Sequence, residues 1–378
     1  MKTLDTLAGV LRVRPGQPRP HNLASHRPDW AQTLVRGKPA SVVPGLLSCL
    51  YNLCGHAHRL CAEMALRAAA GRADLRLPGM ERALQCETVI EHVRRIGLDW
   101  PAQLSARIDR DAFAADATEA LRACPALQRA GNRVLDTRLW LERHLLGMPA
   151  SAWLAGWERE PGSWAAWCES HHGWLPRLMR QCRASAEWRL EPAEPLHVHA
   201  GASSLRQLAG RLREDAGYTR QPHWQGDCAE TGTWTRLHGA SRTMPLTPWL
   251  RLGARVAELA RLNLPDVQAR SGSGWLASGA LHIAPDEGLS WAETARGLLV
   301  HHVRLERASP ESRVATYRVL APTEWNFHAE GAVAGALEAM QGLDPEESQR
   351  RVAALMAAYD PCVRFEVEPR SVAESVHA

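Results

Sequence analysis

The stretch NLCGHAHRLC, from Asn52 to Cys61, sets two cysteines and two histidines within ten residues. Thiolate and imidazole are the donors that bind zinc, iron and copper, so the residue types raise metal chemistry. The segment continues as AEMALRAAAG, Ala- and Leu-rich, with Gly71 placed to stop a helix that begins near Cys54. On such a helix Cys54, His58 and Cys61 fall at i, i+4 and i+7 and share one face. Alone, the segment fits a metal-binding face and an ordinary buried helix equally well, because it lacks the paired CxxC of a zinc ribbon or finger. A site built here needs a second ligand segment. Far along the chain, AAYDPCVRFEVEPR offers one, with Cys362 just beyond an Ala/Leu-rich helix that ends at Asp360 and Pro361.

The elements that must bring these cysteines together are mostly helical. The pattern predicts helices from Cys54 to Gly71, over MERALQCETVIEHVRRIGL, over DAFAADATEALRACPALQRAGNRVLDTRLWLERHLLG with a break at Pro125, over WLRLGARVAELARLN, and over the acidic-started DPEESQRRVAALMAAY. GLLVHHVRLE and SRVATYRVLAP, apolar and β-branched around RASPES, read as a β-hairpin. Residues 1–40, rich in Pro, Arg and His, read as an irregular arm. Residues 41–378 read as a single α+β, mainly helical domain with a small β-hairpin or sheet element. The Trp-rich middle, about 150 to 245, has weak periodicity; WAAWCESHHGWLP reads as a surface segment whose His171-His172 pair beside Cys168 is a lesser candidate for a second metal site.

Composition narrows the function. A 45% hydrophobic and 23% charged chain of 378 residues is globular, long enough for two average domains or one large core. Lys and Arg number 45 against 41 Asp and Glu, and this even balance gives no electrostatic footprint for nucleic acid or a membrane surface. MKTLDTLAGVLRVRPG lacks the apolar core of a secretory signal, and no run reaches about 18 apolar residues, so a soluble, cytoplasmic protein is expected. Nine irregularly spaced cysteines then read as reduced thiols. Cys86, Cys124, Cys168, Cys182 and Cys228 have no ligand-like spacing and read as packing residues.

Four segments carry a family resemblance. NLCGHAHRLCAEMAL is similar to the RxCGxCxxxH signature of nickel-iron hydrogenase large subunits, and DPCVRF to their C-terminal DPCxxC. SWAETARGLLVHHVRL is similar to EAPRGxxxH, and LAPTEWN to PTTWN or PSTWN. ETVIEHVRRIGLDW also resembles the family helix that bears a Glu and a His. Order and spacing agree from about residue 45 to 369, and the resemblance implies a large-subunit-like fold. The departures matter as much as the matches. Each family motif gives two cysteines, one terminal on nickel and one bridging nickel to an iron that carries two cyanides and a carbon monoxide. Here the first cysteines remain as Cys54 and Cys362, but the bridging positions hold Ala57 and Phe365, and neither side chain donates electrons to a metal. The motif histidine falls on Cys61, and the histidine before the family's cleavage point falls on Glu368.

Hydrogenase turnover and nickel binding are therefore not expected, whereas the iron pocket persists. Arg296 stands where the family's guanidinium faces one cyanide and Thr323 where a hydroxyl serves the other; the bland alternatives are an Arg296–Glu293 ion pair and a β-strand position for Thr323. A large-subunit-like chain without bridging cysteines resembles the HupK/HoxV family of hydrogenase accessory proteins. That resemblance implies a maturation scaffold that holds the iron-dicyano-carbonyl unit transiently, with accessory proteins and the large-subunit precursor as partners. Cys54 and Cys362 would ligate the iron, supplemented by Cys61 or Cys49. The competing readings are a metal-free large-subunit mimic that docks accessory proteins, and a zinc or haem protein using Cys54, His56, His58 and Cys61.

Overall fold

A computed structural model describes residues 9–73, 79–128, 133–238, 246–264, 275–307, 309 and 311–368. Residues 1–8 of the expected arm, and Ala308 and Pro310 of the expected hairpin turn, lie outside them.

The sheet at the centre has four antiparallel strands in sequence order, β3 (Ser278–Ala284), β4 (Glu287–Thr294), β5 (Gly297–Leu305) and β6 (Val314–Leu320). The last two are the expected hairpin. The first two were not legible, because SGALHIA and EGLSWAET mix Gly, Ser and charge with few β-branched residues, and their pairing is set by what lies across them. That element is helix α3 (Gly55–Ala69), preceded in the chain by α1 (Trp30–Val35) and α2 (Val43–Leu50). Ala57, Ala62, Ala65, Ala68 and Ala69 are buried, and such small side chains let α3 approach the sheet closely. Ser290 Oγ donates to the Cys61 carbonyl at 2.6 Å, and His282 Nδ1 lies 2.7 Å from that of Ala68.

A helical layer completes the core. α4 (Met80–Arg94) follows α3, and α5 (Pro248–Leu262) runs through the interior, packed against α4, the helix Ala150–Arg159 and α7 (Pro345–Tyr359). Between α5 and α7 in sequence comes a short helix, α6 (Pro322–Asn326). The Trp-rich middle belongs to this core. Trp153, Trp157, Trp164, Trp167 and Trp249 are buried and meet stacked, edge-on or tilted at centroid separations of 5.0–6.4 Å. WAAWCESHHGWLP is thus not a surface segment: it forms the helix Ser163–Ser170 and starts the next, with Cys168 buried. His171 turns its Nδ1 to the Trp167 carbonyl and Ser170 and, among the described residues, joins no metal-ligating group.

Part of the expected irregular arm is ordered. Strand β1 (Val10–Val13) pairs antiparallel with β2 (Leu23–Ser25) and parallel with β7 (Arg364–Val367), and Leu11, Val13 and Leu23 are buried. The partner that orders this segment lies about 350 residues away, so no local pattern announces it.

Candidate functional site

Cys54 ends a 3₁₀ turn (Asn52–Cys54) and is the N-cap residue of α3. Its place is fixed from two sides. The Glu87 carboxylate, reaching from α4, accepts the backbone N–H groups of His56 at 2.7 Å and Ala57 at 2.9 Å, satisfying orphan donors of the helix start. On the other side Gly55 touches α2: a Cβ there would stand 2.7 Å from the Ser48 carbonyl oxygen, so no larger residue fits without a backbone shift. Cys362 is fixed by the end of α7. Asp360, in the left-handed region at φ 53, caps that helix, its N–H donating to the Met356 carbonyl at 2.8 Å. Pro361 prevents continuation, and the chain passes through Cys362 into β7. The two thiols, 308 positions apart, line one cavity of about 850 Å³ together with Arg27, Tyr51, His58 and Arg296. Thr323, in the first turn of α6, stands behind Cys362 and donates its hydroxyl to the sulfur at 3.3 Å. It is therefore a helix position and not a strand position.

Arg296 sits in the turn between β4 and β5. Its Nη2 donates to Glu91 at 2.9 Å and its Nε lies 3.2 Å from Asp360. Asp360 also takes Arg95 Nε at 3.1 Å and Arg255 Nη1 at 3.3 Å, so one buried carboxylate ties three guanidiniums together. Burial opposes the charge of Arg296, but Asp360, Cys362 and Glu91 outweigh it and hold the group far above its ordinary value. A second cation, Arg27, is paired with Glu324 at 2.6 Å. Burial raises the Cys54 thiol well above its ordinary value, the neighbouring Cys362 adds to this, and Arg296 partly offsets it. Burial thus favours the protonated form of Cys54.

His58 completes one wall. It stacks on Tyr51 with centroids 3.9 Å apart, and its Nδ1 lies 3.0 Å from His301 Nε2; His301 Nδ1 lies 2.7 Å from the Tyr317 hydroxyl. Burial lowers both imidazoles, so this chain is neutral and serves to orient the ring.

Of the residues singled out in the sequence, Cys54, Cys362, Arg296 and Thr323 come together. Three do not. Cys61 is buried in α3 outside the cavity lining, because Cys54 has non-helical dihedrals (φ −130, ψ 38) and the helical spacing cannot be counted from it. Cys49 is exposed on α2 and does not line the cavity. Glu293 lies 3.7 Å from both Arg236 and His199 instead of pairing with Arg296. Among the described residues Cys54, His56, His58 and Cys61 form no metal-ligating group, and His56 turns its Nε2 toward the Met80 carbonyl. Ala57, whose position the motif likeness aligns with a bridging cysteine, presents a buried methyl, and Phe365, aligned likewise, a half-buried ring. Asp360 as a charge hub and Arg27 as a second cation escaped the sequence reading. The Asp-Pro pair at a helix end was a signal for the first; Arg27, within a Pro- and His-rich stretch, gave none.

Comparison with known proteins bears on the family and the fold. The chain is 41% identical to the hydrogenase expression/formation protein HoxV of Cupriavidus necator over 98% of both chains. It is 32% identical to the hydrogenase expression/formation protein HupK of Rhizobium leguminosarum bv. viciae over 93% of both. No family model matches. Among solved structures, the Ni-Fe-Se hydrogenase of Desulfovibrio vulgaris Hildenborough superimposes with a TM-score of 0.52 at 12% identity, over 90% of this chain and 92% of that one. An NAD+-reducing [NiFe]-hydrogenase gives 0.50 at 15% identity, over 94% and 98%. At such identities the likeness shows a common fold, that of nickel-iron hydrogenase large subunits.

Proposed function

Because the chain belongs to the HoxV/HupK family of hydrogenase expression/formation proteins, we propose that it serves hydrogenase maturation as a scaffold. It takes up an iron bearing two cyanides and one carbon monoxide and passes it to the hydrogenase large-subunit precursor. The observation that carries this reading is the convergence of Cys54 and Cys362 on one cavity beside Arg296 and Arg27. An iron(II) with two cyanides is electrically neutral, and two thiolates leave the assembly with two negative charges, which would lie beside guanidiniums that Glu91, Asp360 and Glu324 already hold in place. Arginine also supplies fixed N–H donors for the nitrogen end of a cyanide. The Thr323 hydroxyl, already on the Cys362 sulfur, is placed to stabilise that thiolate.

Release follows from what is missing. Ala57 and Phe365 give the metal nothing to hold, so the iron would be gripped by two thiolates instead of a four-thiolate cage, nickel would find no site, and hydrogen turnover is not expected. Maturation accessory proteins would deliver the unit. The setting is the cytoplasm; no helix among the described residues is long and apolar enough to cross a membrane.

The test is infrared spectroscopy of the chain purified anaerobically from cells that also make the iron-assembly accessory proteins. Cyanide and carbonyl stretches should be present in the wild type and vanish in the Cys54→Ala, Cys362→Ala double variant. Unchanged bands in that variant would remove the thiolate assignment. A stoichiometric accessory protein with no iron, and cysteine variants that still support maturation, would instead establish a metal-free docking mimic of the large subunit.

A further inference from the structure

Beyond α6 lies a second convergence of ligands that the cysteine cavity does not use. We propose that His223, Cys228, His328 and Glu330 form a zinc site that fastens two walls of that cavity to each other. The site rests on its own geometry and stands whether or not the cavity carries iron.

The four residues come from two segments. His223 and Cys228 flank a tight turn in which the backbones of Trp224 and Asp227 bond to each other at 2.9 and 3.0 Å, with Gln225 and Gly226 at positive φ. This His-x4-Cys turn presents both side chains on the same side, as a metal knuckle requires. His328 and Glu330 follow α6 directly. One ligand atom from each residue lies within 4.8 Å of all the others. Cys228 Sγ is 3.1 Å from His328 Nδ1, His223 Nε2 is 3.7 Å from Glu330 Oε2, and the two imidazole rings meet edge-on at 4.5 Å. A tetrahedral zinc with bonds of about 2.0–2.3 Å sets its ligand atoms about 3.3–3.8 Å apart; the His223–Glu330 separation falls within that interval and the Cys228–His328 separation lies just below it.

The donor chemistry selects the metal. Two imidazoles, one thiol and one carboxylate form a borderline-soft set that suits zinc and does not suit magnesium or calcium. His328 is 2% exposed, and its Nδ1 faces the Cys228 thiol while accepting the Glu330 N–H at 3.1 Å, a bond that an ion taken up on Nδ1 would displace. His223 and Glu330 stay open to solvent and leave an entry path. Cys228, which spacing alone reads as a packing residue, is half-buried with its sulfur turned to this cluster.

The consequence reaches the cavity. Thr219, Arg220 and Gln221, just before His223, line it, as do Phe327 and Ala329 on either side of His328. An ion shared by the two segments would pin these walls together and limit how far the mouth opens.

The experiment uses the full chain, stripped with a chelator under reducing conditions and titrated with zinc ion against a chromophoric zinc chelator. One tight equivalent is expected. Cys228→Ser and His223→Asn, the latter on the solvent side where folding is not at stake, should each weaken binding by more than the roughly 10–100-fold that altering a mere supporting contact costs. Cys54→Ala with Cys362→Ala should leave the tight equivalent in place. Cobalt(II) in place of zinc should give the absorption of a tetrahedral site with one thiolate, lost in Cys228→Ser. The proposal is overturned if the wild type binds no stoichiometric zinc, if binding survives both Cys228→Ser and His223→Asn, or if the tight equivalent disappears with Cys54 and Cys362.

Discussion

Replacing Asp360 by Asn removes one charge and almost no volume, and the structure fixes what that charge does. The carboxylate is buried between Arg95, Arg255 and Arg296, and these guanidiniums hold it below its ordinary value against the opposing effect of burial. Two of the three keep another acid in the variant: Arg296 has Glu91 at 2.9 Å, and Arg95 has Asp99. Arg255 does not. Among the described residues its remaining partners are the carbonyls of Ala358 at 3.3 Å and Ala295 at 3.4 Å, and burial already lowers its affinity for a proton. Asp360→Asn therefore strands one buried cation, which costs about 3–5 kcal/mol when a buried pair loses one partner. Arg255→Met removes that cation and leaves Asp360 two guanidiniums, so alone it should be near neutral. In the double variant it should restore at least about 2 kcal/mol. Urea unfolding followed by tryptophan fluorescence reads this directly, because Trp249 lies on the same helix as Arg255. An Asp360→Asn midpoint equal to wild type, or a double variant as unstable as the sum of the singles, would refute the hub.

Three further outcomes follow from burial and contact. Gly288→Ala on β4 would drive its methyl into the backbone of α3 at Ala65 and Ala69, and should lower stability by about 1–3 kcal/mol in the same unfolding assay, with no loss if α3 can move away. His301 is buried neutral, with burial pushing it down to about 3, whereas the unfolded chain takes up the proton near 6.5. Its contribution is complete above pH 6.5 and is lost as pH falls toward 3, at about 1.4 kcal/mol per unit, and His301→Gln should flatten the acid limb of the stability profile by that slope. Iodoacetamide should label exposed Cys49 in the native chain, while Cys182, buried with its thiol pushed up to about 12, reacts only on unfolding; native labelling of Cys182, read by peptide mass, would contradict the packing.

What the sequence made legible was local. The helices α3, α4 and α5 announce themselves by periodicity and stop signals, and β5 and β6 by their apolar, β-branched runs. β1 and β2 did not, since VLRV and LAS are ordered by pairing with each other and with β7, which no window around residue 10 contains. The Trp-rich helices do carry an apolar stripe, Ala150, Trp153, Leu154 and Trp157 in the first and Trp164, Trp167 and Cys168 in the second, but the helices are short and broken apart by Pro161, Gly162 and Gly173, so no long periodic window announces them. At the site, Cys54, Cys362, Arg296 and Thr323 were reachable through motif likeness. Cys61 was misplaced for a geometric reason, since a helical count begun at an N-cap residue starts from a backbone that is not yet helical. Glu293 was a guess from nearness in sequence, and across a β-turn nearness in sequence does not mean contact.

The parallel pairing of β1 with β7 has a consequence for timing. Residues 10–13 leave the ribosome early, yet their neighbour in the sheet is made more than 350 residues later, and Cys362 immediately precedes that neighbour. The nascent chain holds Cys54 and Arg296 before Cys362 has been made, and it closes the pocket's second thiol wall only when β7 docks onto β1. Any cargo that requires both sulfurs must wait until Cys362 has been made and the strand after it has found residues 10–13.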